Sequence, residues 1–139
     1  MKYSIGHVAY HTKDLEKTAS FYTEILGFKR AFSRNDENGV PFMIYIMLPD
    51  GRFLELFSTP ADIEFELGTS YMHLCLEVAD CAAAMEDLQS KGIPITQALK
   101  RGMDTNWQCW IKDPDGRDIE IMQIVDDSEQ AKNRRALSM

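Results

Sequence analysis

The sequence contains one hairpin motif twice, and this duplication restricts the fold more than any other feature. Pro-Asp-Gly-Arg occupies positions 49–52 and recurs 65 positions later at 114–117. Each copy lies between two apolar runs, a pattern that predicts a β-hairpin. In each copy a glutamate, Glu55 or Glu120, follows the glycine by four positions. Because a carboxylate within a sheet is unfavourable unless it is paired or bound to a metal ion, the repeated glutamate indicates a functional role.

The repeat extends through most of the chain. Three pairs of residues match at offsets of 65 or 66, namely His7 with His73, Asp14 with Asp80, and Gly27 with Gly92. The chain therefore reads as two modules, each a strand, a helix and further strands ending in the hairpin. We expect a single domain at 1–125, composed of module 1–59 and module 70–125 with a linker at 60–69. Periodicity fails after residue 125, which predicts a C-terminal tail at 126–139 that is either frayed or weakly helical.

Local signals predict where the helices begin and end. Asp14 and Asp80 are favourable N-cap residues for the two helices. Gly27 suits the left-handed conformation that ends the first helix. In the second module we expect a strand at 93–98 and a polar loop at 99–106.

Charge and composition exclude several classes of protein. The net charge of −7 argues against a nucleic-acid partner or an anionic membrane surface. No apolar run approaches the roughly 20 residues of a membrane span, and no secretory signal begins the sequence. The three cysteines form no CxxC pair and no even disulfide set. Free thiols suit a reducing compartment, so we expect a cytoplasmic protein.

Four residues at equivalent repeat positions form the candidate site. Strand alternation places His7, Glu55, His73 and Glu120 on the faces opposite their aliphatic neighbours. Two imidazoles and two carboxylates suit a divalent ion such as Zn²⁺, Ni²⁺, Co²⁺, Fe²⁺ or Mn²⁺. A single strand histidine usually belongs to the core or surface, but the matched set favours a metal site with open positions for substrate.

The motifs around these residues resemble those of a known superfamily. They are Ile-Gly-His-Val at 5–8, Phe-Leu-Glu-Leu at 53–56, Tyr-Met-His-Leu at 71–74 and Asp-Pro-Asp-Gly at 113–116. Over residues 3–124 the chain resembles the vicinal oxygen chelate superfamily of glyoxalases, extradiol dioxygenases and bleomycin-resistance proteins. Its ligand order is most similar to that of bacterial glyoxalase I (lactoylglutathione lyase). The resemblance implies an α+β fold in which two βαβββ modules form a curved, mixed-sheet metal cup.

The same resemblance implies a reaction and an assembly. The substrate would be the hemithioacetal of methylglyoxal and a thiol such as glutathione, and the reaction a 1,2-proton transfer. Glu120 would be the principal base, and Glu55 a metal ligand and second base. Ni²⁺ or Co²⁺ is favoured, while Zn²⁺, Mn²⁺ and Fe²⁺ also fit. A homodimer is implied, in which His7 and Glu55 of one chain meet the partner's His73 and Glu120.

Departures from the glyoxalase I pattern keep two alternatives open. His11 stands where the bacterial enzyme has a glutathione-binding arginine, and Ser-Thr at 58–59 replaces an expected asparagine. Lys100, Arg101 and Trp107, together with His11, are the predicted substrate-binding residues. One alternative is another metal-dependent member, such as an epimerase, a thiol transferase or an extradiol-type dioxygenase. The other is a metal-free, small-molecule-binding resistance protein.

Overall fold

The computed structural model describes all 139 residues and divides the chain into two compact units. The first unit is Met1–Gly68 and the second is Thr69–Met139. The boundary lies within the segment at 60–69 that the sequence indicates as a linker. The chain has no helix that combines the length and apolar character of a membrane span.

The first unit is a four-stranded mixed sheet covered by one helix. Its elements are β1 (His7–Thr12), α1 (Leu15–Ser20) with a π-helical continuation (Phe21–Ile25), β2 (Lys29–Asn35), β3 (Pro41–Met47) and β4 (Phe53–Ser58). The strand order is β1-β4-β3-β2, with β1 parallel to β4 and the other pairs antiparallel. This is the predicted βαβββ arrangement.

Strand alternation in the first unit separates an apolar core from a polar face. The buried side chains of β3 and β4 that pack beneath α1 are Ile44, Ile46, Leu54 and Leu56. Asp14 caps α1 by accepting a hydrogen bond from the Lys17 backbone N–H at 3.0 Å, as predicted. Gly27 has φ +74°, which confirms the left-handed helix end.

The second unit repeats this topology and adds a helix. Its elements are β5 (His73–Glu77), α2 (Cys81–Ser90), β6 (Gln97–Arg101), β7 (Trp107–Lys112), β8 (Asp118–Gln123) and α3 (Glu129–Leu137). The strand order is β5-β8-β7-β6, again with the first pair parallel. The predicted α+β class and the duplication of a βαβββ module are therefore confirmed.

The edge strand of the second unit differs from its prediction. β6 spans Gln97–Arg101, so both the expected strand at 93–98 and the start of the expected loop at 99–106 were placed too early. Pro94 has no backbone N–H to donate within a sheet. The first backbone hydrogen bond to β7 comes from Thr96, which donates to the Trp110 carbonyl at 2.8 Å.

The predicted tail at 126–139 includes α3 (Glu129–Leu137), so most of it is helical rather than frayed. Buried Asn106 donates from Nδ2 to Gln130 Oε1 at 2.9 Å, and its Oδ1 accepts from the Val125 N–H at 2.9 Å. Gln130 donates from Nε2 to Asp104 Oδ2 at 2.9 Å. Burial opposes ionisation of Asp104, but the hydrogen bonds from Gln130 and Asn106 outweigh it and hold its pKa below the ordinary value. These contacts fasten α3 to the loop between β6 and β7.

The two Pro-Asp-Gly turns have different surroundings. In the second turn Arg117 Nη1 lies 3.0 Å from both Asp113 Oδ2 and Asp115 Oδ2, and all three side chains are buried. In the first turn Arg52 Nη1 lies 2.6 Å from Asp50 Oδ2, and about half of each side chain is exposed. The same short motif is therefore internal in one copy and solvent-exposed in the other.

Candidate metal centre

The first half-site is formed by His7 and Glu55 on the sheet face opposite α1. Ala9 of β1 pairs with Glu55 in the parallel register. His7 precedes Ala9 by two residues, so His7 and Glu55 lie on the same face of the sheet. His7 Nε2 is 2.5 Å from Glu55 Oε2. Glu55 is only 7% exposed, so this carboxylate needs a partner.

The second half-site repeats this arrangement with His73 and Glu120. His73 Nε2 is 3.1 Å from Glu120 Oε2, and Glu120 is 8% exposed. The Trp110 ring packs edge-on against the His73 imidazole, with centroids 4.7 Å apart. Both glutamates therefore bring a carboxylate oxygen to a histidine nitrogen at equivalent positions of the two sheets.

The chemistry of these donors fits a divalent ion. Neighbouring ligands at right angles, each about 2.1 Å from an ion, lie about 3 Å apart. The His73–Glu120 spacing of 3.1 Å is close to that value, whereas the His7–Glu55 spacing of 2.5 Å is shorter and is that of a direct contact. No group of three or more His, Cys, Asp or Glu side chains in the chain is arranged to hold a metal ion, so the candidate ligands stand as two pairs. That all four share one ion stays a prediction.

Comparison with known proteins decides the family. The family model of the Glyoxalase/Bleomycin resistance protein/Dioxygenase superfamily matches residues 4–121. The chain belongs to this superfamily.

Similar proteins of this glyoxalase superfamily include bacterial enzymes of nearly the same length. A probable lactoylglutathione lyase of Vibrio parahaemolyticus is 31% identical over 86% of this chain and 89% of the relative. A lactoylglutathione lyase of Escherichia coli O157:H7 is 30% identical over 86% of this chain and 92% of the relative. The structure of a Zea mays glyoxalase I mutant has a TM-score of 0.75 at 24% identity, covering 88% of this chain and 45% of that one. This structural likeness supports the glyoxalase-like fold.

Tyr45 is a neighbour of the first half-site that the sequence does not reveal by itself. It lies directly opposite Glu55 in the β3–β4 register, and its phenol donates a hydrogen bond to Glu55 Oε1. This hydrogen bond, followed by burial, raises the pKa of Tyr45 above its ordinary value. One signal could have found the contact, since Tyr45 precedes Glu55 by the same ten positions that separate Trp110 from Glu120.

The second half-site has no equivalent phenol. Trp110 lies opposite Glu120, but its indole N–H donates to Gln108 Oε1 at 2.5 Å. Cys75 lies beside Glu120 in the β5–β8 register. Cys75 keeps an exposed surface, yet partial burial and then the Glu120 carboxylate raise the pKa of its thiol to about 12. The thiol is therefore neutral at pH 7 and is only a weak donor.

The four predicted substrate-binding residues do not all share the ligand face. His11 lies four residues after His7, on the same face of β1. Lys100 pairs with Gln108 in the register and donates from Nζ to Gln97 Oε1 at 2.9 Å. Alternation along β6 and β7 carries Arg101 and Trp107 to the opposite face, where the guanidinium lies 4.6 Å from the Trp107 ring centroid. The structure thus brings His11 and Lys100 to ligand faces and leaves Arg101 and Trp107 on the other side.

Proposed function

We propose that the chain is a metal-dependent lyase of the glyoxalase I type. Its substrate would be the hemithioacetal of methylglyoxal and a thiol such as glutathione. The observation that carries this proposal is the matched pair of His–Glu half-sites, one on each sheet. Relatives named lactoylglutathione lyase, about 30% identical over most of the chain, support it.

The proposed ligands of the ion are His7, Glu55, His73 and Glu120. Ni²⁺ or Co²⁺ is favoured, and the same donors also suit Zn²⁺, Mn²⁺ or Fe²⁺. When bound, the ion supplies Lewis-acid stabilisation of negative charge on the two neighbouring substrate oxygens. His7 and His73 would serve as neutral imidazoles that bind through Nε2, the atom that faces each glutamate.

The proton transfer is assigned to the carboxylates. A Glu120 oxygen takes the proton from the substrate carbon that carries sulfur and hydroxyl, and the C–H electron pair moves toward the neighbouring carbonyl. Return of that proton to the neighbouring carbon, together with transfer of the hydroxyl proton to the former carbonyl oxygen, gives a hydroxy thioester, with no bond to sulfur broken. The low exposure of Glu120 limits proton exchange with water during this transfer.

We also propose a homodimer whose sites are shared between chains. In this arrangement His7 and Glu55 of one protomer bind the same ion as the partner's His73 and Glu120. Each unit contributes one His–Glu pair, which is the contribution that such sharing requires of it. The three free thiols suit a reducing environment, which supports a cytoplasmic location.

A second candidate is another metal-dependent reaction of the superfamily, such as epimerisation, thiol transfer or ring cleavage. The segment that replaces the expected glutathione-binding asparagine favours it. Thr59 Oγ1 donates to the Thr12 carbonyl at 2.9 Å, so this hydroxyl closes the end of the β1–β4 pair. A different thiol or a thiol-free substrate would account for that substitution. The metal-free resistance protein is disfavoured by the retention of all four ligands.

The deciding experiment is an assay of metal-stripped protein reloaded separately with Ni²⁺, Co²⁺, Zn²⁺, Mn²⁺ or Fe²⁺. With the methylglyoxal–glutathione hemithioacetal as substrate, we expect thioester formation, fastest with Ni²⁺ or Co²⁺. Absence of turnover with every ion would contradict the proposal. If the ions still bound tightly, the second candidate would replace it.

A further inference from the structure

We propose that Tyr45 is a positioning residue that assigns separate roles to the two oxygens of Glu55. Its phenol holds Oε1, which leaves Oε2 as the single oxygen directed to the ion. This inference rests on the proposed metal-dependent function, because it takes Glu55 as a ligand.

The contacts of Glu55 carry the first step. Oε1 accepts the hydrogen bond from the Tyr45 phenol, while Oε2 is the oxygen 2.5 Å from His7 Nε2. A carboxylate that already accepts a phenolic hydrogen bond through one oxygen presents the other in a fixed direction. Binding through both oxygens would break that hydrogen bond. Glu55 is therefore expected to be a one-oxygen ligand that stays on the ion.

The surroundings of Tyr45 carry the second step. Its ring stacks on Phe32 with centroids 4.2 Å apart and packs edge-on against Phe53 at 5.6 Å. These contacts restrict the side-chain torsions of Tyr45, so the phenol is already in place before a ligand binds. The hydroxyl can be removed without removing the ring that packs there.

The contrast with the second sheet carries the third step. Trp110 occupies the equivalent register position, but its N–H is committed to Gln108. Cys75, beside Glu120 in the β5–β8 register, offers only a thiol, which is a weaker donor than a phenol. Glu120 consequently has more freedom to leave the ion and accept a proton. The two carboxylates thus differ in mobility although the duplication places them equivalently.

The test compares Tyr45→Phe with the parent chain and with Tyr3→Phe, the same change at an exposed tyrosine outside both half-sites, as the matched control. Each metal-free protein is titrated with Co²⁺ in competition with a chelating dye, and the visible absorption of the bound Co²⁺ is recorded. We expect Tyr45→Phe to raise the Co²⁺ dissociation constant about 10- to 100-fold and to change the absorption band. Tyr3→Phe should leave the dissociation constant within about twofold of the parent and the absorption band unchanged.

Three outcomes would overturn the inference. These are an unchanged affinity and spectrum in Tyr45→Phe, an equal loss in both variants, or a parent protein that binds no Co²⁺. A second variant, Tyr45→Trp, introduces the residue of the other sheet and must weaken binding as well. A parent that binds Co²⁺ but does not convert the hemithioacetal would contradict the proposed substrate alone, and the comparison of variants would still decide the role of Tyr45.

Discussion

At the scale of single residues, the chemistry depends on what surrounds each glutamate. Glu55 and Glu120 have the same fold position and nearly the same exposure, yet only Glu55 accepts a hydrogen bond from a phenol. We therefore assign the proposed proton-transfer role to Glu120. This difference arises from one residue of the facing strand, tyrosine in one module and tryptophan in the other.

Replacing Glu120 by glutamine should abolish measurable turnover of the hemithioacetal. The amide keeps the shape of the side chain but cannot accept the proton, and loss of a general base costs about 10²- to 10⁴-fold in kcat. Asp118→Asn, on the same strand face, removes only the exposed ion pair with Lys112 and should keep kcat within about twofold. Steady-state kinetics of both reloaded variants check this, and an active Glu120→Gln would show that the base is misassigned.

Local patterns were sufficient to find the ligand candidates but not their neighbours. His7, Glu55, His73 and Glu120 stand out because the duplication marks them twice in one sequence. The Tyr45–Glu55 contact depends on strand register, which alternation alone does not specify. The different faces of Lys100 and Arg101 followed only once β6 was seen to include them.

At the scale of elements, α3 shows how a distant contact decides local structure. Its sequence is strongly polar, so periodicity indicated a tail. The helix is held by Ser128, which caps it, and by the Asn106–Gln130 hydrogen bond, which joins residues 24 positions apart. A pattern search within a short window cannot detect such a partner. The start of β6 was predicted too early for a different reason. The apolar residues Ile93 and Ile95 indicated a strand, but Pro94 between them has no backbone N–H to donate to a neighbouring strand.

The Asn106 network should contribute measurably to stability. Asn106→Ala leaves the Val125 N–H without its acceptor and removes the bond to Gln130, so we expect a loss of about 1–3 kcal/mol in the free energy of unfolding. Asn133→Ala changes an exposed residue of the same helix and should alter it by less than about 0.5 kcal/mol. Urea denaturation followed by circular dichroism provides the measurement. Equal stability of the two variants would contradict the role given to Asn106.

Asp104 should make the second unit sensitive to acid. Its folded pKa is lowered, so its stabilising effect is complete above the unfolded pKa of about 3.9 and is lost as pH falls through the folded pKa. The stability difference between the parent and Asp104→Asn should therefore shrink as pH falls below about 4. Denaturation measured from pH 7 to pH 3 checks the sign. A difference that grows toward low pH would show that the carboxylate is not stabilised in the fold.

At the scale of the whole molecule, the duplication gives each unit half of the ligand set. Neither unit holds more than one His–Glu pair, so the proposed four-ligand site requires pairs from two units. Whether these units belong to one chain or to two is a question of assembly. In the proposed homodimer, the two units that form one site belong to different chains.

Mixing two inactive variants distinguishes these assemblies. If sites are shared between chains, a heterodimer of His7→Ala and His73→Ala contains one intact site and one doubly defective site. Random exchange of protomers should then restore about a quarter of the parent activity. Sites formed within single chains would remain defective in every dimer, so the mixture would stay inactive. Activity is measured after unfolding and refolding the two proteins together, with each refolded alone as the control.

The two Pro-Asp-Gly turns also differ in how much alteration they should tolerate. Inserted peptides are tolerated at solvent-exposed turns whose conformation does not hold a buried charged side chain in place. A short epitope between Asp50 and Gly51 should therefore leave the yield of folded protein nearly unchanged, whereas one between Asp115 and Gly116 should separate Arg117 from its buried acids and sharply reduce the yield. Soluble expression of the two insertion proteins would report this directly. Of the two copies of this motif, the first turn can thus accept an insertion, whereas the second is held in place by buried ion pairs.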